Sequence, residues 1–149
     1  KNPHLILLVI NFIAQKKIIK KTPFNEKISK ISNEDSLFSY DLKLKNVHIK
    51  HINNQVLHEN LENSNIFLKK TLGYAKSSLF FTKSNLMDKN YMKITRTYFI
   101  LKKFKVVSVF KFIYILLGGV LKKQLKSKNP SLFILDLYRL SYICYIRNY

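Results

Sequence analysis

The spacing of apolar residues changes repeatedly along this chain, and the changes predict alternating element types. From Pro3 to Lys21 the pattern predicts a helix, with Pro3 in the first turn and a lysine cluster at the C-terminal end, where positive charge complements the helix dipole. Residues Thr22 to Tyr40 are polar, carrying Pro23, Asn25, Asn33 and the acidic pair Glu34 and Asp35, and read as a connector. From Asp41 to Ile52 apolar and polar residues alternate, which predicts one strand, or two joined near Asn46. Val56, Leu57, Leu61, Phe67, Leu68 and Leu72 then return to helical spacing, with Gly73 as a natural stop.

The second half continues the alternation. Ser77–Lys83 (SSLFFTK) is dense and apolar, as in a buried strand, and Met87–Phe104 is helical, with Tyr91, Ile94, Tyr98 and Leu101 on one face. Lys105–Leu117 is rich in Val, Phe and Ile and predicts another strand, ended by Gly118–Gly119. A basic connector, Lys122–Pro130, precedes a strand at Ser131–Asp136 and a helix from Leu137 to Tyr149, where Leu140, Ile143 and Arg147 share a face. Strands alternating with helices imply an α/β fold, a parallel sheet flanked by helices. The division this suggests is an N-terminal helix and basic or polar connector over 1–40, then an α/β domain over 41–149.

Charge changes the functional picture. The 149 residues hold 27 Lys and Arg against 8 Asp and Glu, a formal net charge of +19, threaded through a chain that is 47% hydrophobic. Such a charge repels itself in a lone compact state, and a polyanionic partner relieves it. With 3 Arg among the basic residues, 3 Gly, 3 Pro and no Trp, the composition follows A/T-rich codons. It points to an organelle-encoded gene or another AT-rich genome. With Gly and Pro scarce, Asn must supply many of the turns. The scarcity of acids has no such codon explanation. The lone Cys144 excludes an internal disulfide framework, the first residue, Lys1, suggests trimming or processing, and no cleavable signal is evident.

Three apolar stretches raise a membrane reading: Leu5–Ala14, Val106–Leu121 and Leu132–Ile146. A span needs about 20 apolar residues. The first is too short, Lys111 interrupts the second, and Asp136 and Arg139 interrupt the third. Each remains suited to an interfacial segment or to a subunit of a respiratory complex. Chemistry-bearing motifs are weak. Gly118–Gly119 lacks the spacing of a phosphate-binding loop, so no cofactor is implied. His48 and His51, three apart on a strand, point to opposite faces, and His58 nearby does not make a metal set. Asp136 would cap the helix that follows it rather than act in catalysis. The basic residues carry the strongest signal, as rRNA-binding candidates: Lys16, Lys17, Lys20, Lys21, Lys43, Lys45, Lys83, Arg96, Lys102, Lys103, Lys105, Lys122, Lys123, Lys126 and Lys128. Among the 9 Tyr and 11 Phe, some could stack on unpaired bases, while most suit a core.

Several short stretches, in order, resemble the small-subunit ribosomal protein family S-two. Val47-His48-Ile49 resembles its "(V/I)HII" strand, and Leu79-Phe80-Phe81-Thr82-Lys83 its "ILFV-x-T-K" strand. Leu116-Leu117-Gly118-Gly119-Val120-Leu121 stands where the family has "W-(L/I)-G-G-x-L-T-N", and Pro130 to Asp136 resembles "P-D-L-(V/I)-(V/I)-L-D". The turn's Trp, Thr and Asn are absent, the helical hairpin is reduced to Lys122–Asn129, and the start motif "AGVHFGH" is unrecognisable in Ile10–Lys16. The resemblance implies a Rossmann-like parallel sheet lacking a final strand, which is lost or supplied by a second polypeptide. It implies a structural, non-enzymatic constituent of a mitochondrial small ribosomal subunit in the matrix. Its partners would be small-subunit rRNA and neighbouring ribosomal proteins, with no small-molecule substrate. The alternatives are another lineage-specific basic mitoribosomal protein, or an accessory subunit of a mitochondrial membrane respiratory complex.

Overall fold

Ser77–Lys83, the densest predicted strand, is the last part of a 20-residue helix, Ser64–Lys83. The computed structural model describes residues 3–6, 11–25, 33–54, 56–57 and 62–146, and among these there is no β-strand. The predicted parallel sheet, and with it the Rossmann-like α/β fold, is therefore corrected to an all-helical architecture. Six α-helices are described: α1 (Lys16–Lys21), α2 (Glu34–Leu44), α3 (Ser64–Lys83), α4 (Lys93–Lys103), α5 (Val107–Leu125) and α6 (Leu132–Tyr145). A short 3-10 turn, Pro3–Ile6, precedes them. The chain divides into two compact units, Lys1–Leu61 and Glu62–Tyr149.

The three predicted strands in the second half are helical, each for its own reason. In α3 the buried positions are Leu68, Thr71, Ala75, Ser77, Ser78, Leu79, Phe81 and Thr82, one side of the helix on which half the members are hydroxyl residues. Three of those hydroxyls are satisfied within the helix: Ser77 Oγ donates to the Gly73 carbonyl (2.9 Å), Ser78 Oγ to Tyr74 (2.8 Å) and Thr82 Oγ1 to Ser78 (3.0 Å). A count of apolar letters misses this face, and Gly73 lies inside the helix instead of ending it. Lys105–Leu117 enters α5, which runs through Gly118 and Gly119 to Leu125. Its β-branched and aromatic residues reflect composition more than local conformation. The Ser131–Asp136 strand is the start of α6, capped by Ser131, whose Oγ accepts from the Ile134 amide.

The alternation at 41–52 has a different origin. Asp41 to Leu44 close α2, and 47–54 have no regular structure. Yet Val47 and Ile49 are half-buried while His48 and Lys50 are exposed, so period two is real without a sheet. The segment is held by side-chain bonds instead of a ladder: the His4 Nε2 lies 3.0 Å from the Val47 carbonyl, and the His51 Nε2 2.9 Å from that of Pro3. Glu34 and Asp35, read as connector, form the first turn of α2, where acids suit the dipole.

The Lys1–Leu61 unit centres on buried Leu37, Phe38 and Leu42, with the Phe38 ring stacked on Phe24 at 4.1 Å and tilted toward Phe12 at 6.1 Å. The Glu62–Tyr149 unit has two contiguous core clusters. Ala75 and Leu79 of α3 meet Tyr98 of α4, Val107 of α5 and Ile143 and Cys144 of α6. Leu68 of α3 meets Leu121 and Leu125 of α5 and Tyr138 of α6. The α5–α6 turn is tied by Gln124, whose Nε2 donates to the Asn129 carbonyl (3.0 Å) and whose Oε1 accepts from the Ser131 amide (3.4 Å).

Helix ends show how the chain turns with so little glycine. After α2, Asn46 has φ 51°, after α3 Asn85 has φ 56°, and after α4 Lys105 has φ 59°. Each is followed by the paired closing bonds of a Schellman motif, as in Val106 N to Leu101 O (3.0 Å) and Lys105 N to Lys102 O (3.1 Å). Asn tolerates this left-handed region well; Lys105 holds it at a cost of about 1 kcal/mol or more.

Candidate functional site

All fifteen basic residues singled out in the sequence are exposed, and most share one structural setting. Lys20 and Lys21 lie in the last turn of α1, Lys43 in that of α2, Lys83 in that of α3, Lys102 and Lys103 in that of α4, and Lys122 and Lys123 in that of α5. There each complements unsatisfied carbonyls, an effect of about 0.3–1 kcal/mol at a helix end. Lys16 and Lys17 open α1, Lys45 caps α2, Arg96 projects from α4, and Lys126 and Lys128 lie in the α5–α6 turn. Lys45 Nζ donates to the Lys21 carbonyl, so the ends of α1 and α2 meet.

In the Glu62–Tyr149 unit the basic residues form two groups at opposite ends of α5. Lys102, Lys103 and Lys105 mark the corner between α4 and α5, and Lys122, Lys123, Lys126 and Lys128 mark the far end. At 1.5 Å per residue the groups are roughly 25 Å apart. Among the described residues, neither group pairs with a carboxylate; the ion pairs in this unit include Lys70–Glu62, Lys93–Asp136 (3.0 Å) and Arg139–Asp136 (3.8 Å). Lys102 Nζ instead lies 6.0 Å from the centre of the Phe99 ring. From Lys89 to Leu135 the chain contains no Asp or Glu, while ten lysines and Arg96 fall in that interval.

Between the two basic groups lies the feature the sequence reading did not single out. Phe112, Leu116 and Val120 on α5 are 59%, 74% and 64% exposed, and Val109 and Ile115 are exposed beside them. Spaced at i, i+4 and i+8, they form one apolar stripe on the side of the helix opposite Val107, Leu121 and Leu125. Gly119 lies on the same side, with open space where a Cβ would stand. At the start of α6, Leu132 and Phe133 are also strongly exposed. A stripe of this kind marks an interaction surface rather than scattered surface hydrophobes. The signal in the sequence was the Val106–Leu121 run itself, once placed on a helix with one side packed. Among the described residues, no single helix is long and apolar enough to cross a membrane. The pair α4 and α5 has the length and composition together, but bends by 116° at their junction.

The packed side of α5 is aromatic. Tyr114 lies 5.7, 5.4 and 5.1 Å, centre to centre, from Tyr138, Tyr142 and Tyr145 of α6. Burial, followed by its tyrosine neighbours, pushes the Tyr114 hydroxyl well above the ordinary phenol range. It therefore stays protonated and acts as packing and donor, not as a base.

The remaining sequence candidates do not converge. Asp136, expected to cap the last helix, sits inside α6 and pairs with Lys93 and Arg139, while Ser131 is the cap. His48 is exposed, His51 bonds Pro3, and His58 lies outside the described residues, as does Arg147. Among the described residues no group of His, Cys, Asp and Glu is arranged to hold a metal ion. The stretches resembling the S-two family lie on α3, α5, α6 and an irregular segment, so the strands that resemblance implies are absent among the described residues. Compared with family models, curated proteins and solved structures, the chain matches none.

Proposed function

We propose that this chain is a non-catalytic accessory subunit of a mitochondrial membrane respiratory complex. The observation that carries the reading is the apolar stripe on the outer side of α5, left uncovered while the inner side packs through Val107, Leu121 and Leu125. Exposing Phe, Leu and Val in a chain that buries Ser and Thr is explained by a partner surface that is itself apolar. The AT-rich composition supports an organelle genome, whose products serve either such complexes or the ribosome. The test is extraction of organelle membranes. The chain should leave with detergent and migrate with a respiratory complex on native gels. Release by nuclease, with sedimentation among ribosomal subunits, would overturn it.

A second reading is a lineage-specific basic mitoribosomal protein that binds rRNA. The exposure of all fifteen candidate basic residues favours it. Their placement at helix C-termini supplies a structural reason for many of them without RNA, and in the stripe Phe112 offers a base a ring to stack on while Leu116 and Val120 do not.

A further inference from the structure

We infer that the outer side of α5 rests on the surface of an anionic phospholipid bilayer, with Phe112, Leu116 and Val120 in the acyl boundary and lysines at both ends of the helix on headgroup phosphates. The inference rests on the membrane-complex reading and adds that the chain touches lipid directly.

Length decides between crossing and lying flat. The stripe from Val109 to Val120 runs roughly 16 Å at 1.5 Å per residue, against a hydrocarbon core of about 30 Å. It can bury sideways but cannot span. Charge decides what lies beneath it. The stripe is closed at one end by Lys105 and at the other by Lys122 and Lys123, in an interval with no acidic residue from Lys89 to Leu135. On a helical projection of α5, Lys123 falls close to the line through Phe112 and Leu116, on the side that would face the bilayer, and Lys105 lies in the turn just before the helix begins. Their stems are long enough to lie along apolar surface while the ammonium groups reach phosphate. An apolar strip with lysines around it and no carboxylate complements a surface that is apolar inside and anionic at its skin. RNA would meet the lysines but not the aliphatic residues.

The chain has no tryptophan, so a single indole can report the contact. Phe112→Trp in the full chain should shift its emission to the blue on vesicles of phosphatidylcholine mixed with phosphatidylglycerol, and little on phosphatidylcholine alone. In that background Leu116→Asn should lower the partition coefficient about tenfold with an unchanged circular dichroism spectrum. Lys105→Gly removes one charge and relieves the positive φ, so it should lower partitioning about fivefold while leaving the fold intact. No blue shift on the mixed vesicles overturns the inference, as does binding that Leu116→Asn leaves unchanged. A chain that migrates with a respiratory complex yet ignores vesicles would sink the lipid contact alone. The α5 stripe would then cover a protein subunit, and the membrane-complex reading would stand.

Discussion

Helices α3 and α5 are nearly equal in length, but α3 buries eight residues, half of them Ser or Thr, while α5 buries three. The buried side of α3 carries Leu68, Leu79 and Phe81 among the smaller Thr71, Ala75, Ser77, Ser78 and Thr82, and the hydroxyls of Ser77, Ser78 and Thr82 bond to their own helix. The exposed side of α5 carries Phe112, Leu116 and Val120. Burial in α3 thus admits small polar residues between large apolar ones, because internal bonding removes the penalty for burying their hydroxyls. Exposure in α5 is governed by something outside the chain. Mean hydropathy alone would assign the two helices the wrong way round.

The comparison breaks first where α3 is tightest. Ile143 of α6 is fully buried in the cluster with Ala75 and Cys144. Ile143→Ala should lower the unfolding free energy by about 2–5 kcal/mol, through lost burial and the cavity left behind. Chemical denaturation followed by circular dichroism measures it; a loss close to that of a surface substitution would mean the α3–α6 contact is loose. Next comes Ala75→Leu, at a position with no exposed surface. Ala to Leu barely changes helix propensity, so the result isolates space, and overpacking should cost about 1–3 kcal/mol.

A smaller and opposite effect is expected on α5. A Cβ at Gly119 meets nothing within 4 Å, and the residue is inside a regular helix. Gly119→Ala should stabilise the chain by about 0.5–1 kcal/mol, the difference in helix propensity. Thermal unfolding with and without anionic vesicles sharpens the test. If the open notch is where the bilayer or a partner helix approaches most closely, the stabilisation persists in solution and binding weakens.

What the sequence made legible follows from the same contrast. The helix expected over Met87–Phe104 could be read from Ile94, Tyr98 and Leu101, with Tyr98 buried and Ile94 and Leu101 half-buried, but it starts at Lys93, and Tyr91 lies in the turn before it. The expectation that Asn would replace Gly in turns is met at Asn46 and Asn85. The first half of α3 was legible as helix from Phe67, Leu68 and Leu72. Its second half read as a strand because Leu79, Phe80 and Phe81 run together and the helical period continues through Ser78 and Thr82, which periodicity counts as polar. The strands assigned at Lys105–Leu117 and Ser131–Asp136 came from β-branched and aromatic letters that an AT-rich composition supplies everywhere. Local propensity carries little weight when one bias sets it along the whole chain. Lys102, Lys103, Lys122 and Lys123 lie in last turns of helices, but the apolar stripe between them needed the helix to become visible. A run of Val, Phe, Ile and Leu has no outer side until the conformation is known.

The smallest effect tests whether hydroxyls in α3 are chosen or merely tolerated. Thr82 is buried, and its Oγ1 donates to the Ser78 carbonyl at 3.0 Å. That carbonyl also faces the backbone amide of the next helical turn, so Thr82→Val leaves no acceptor stranded. The substitution keeps the shape, removes one hydroxyl bond worth about 0.5–1.5 kcal/mol net, and gains a buried methyl of about the same value. The two should cancel to within about 0.5 kcal/mol, read as a denaturation midpoint that hardly moves. A clear loss would mean that the hydroxyl bond specifies how α3 packs. A clear gain would mean that Thr stands there only because the core of α3 accepts any small side chain that satisfies itself.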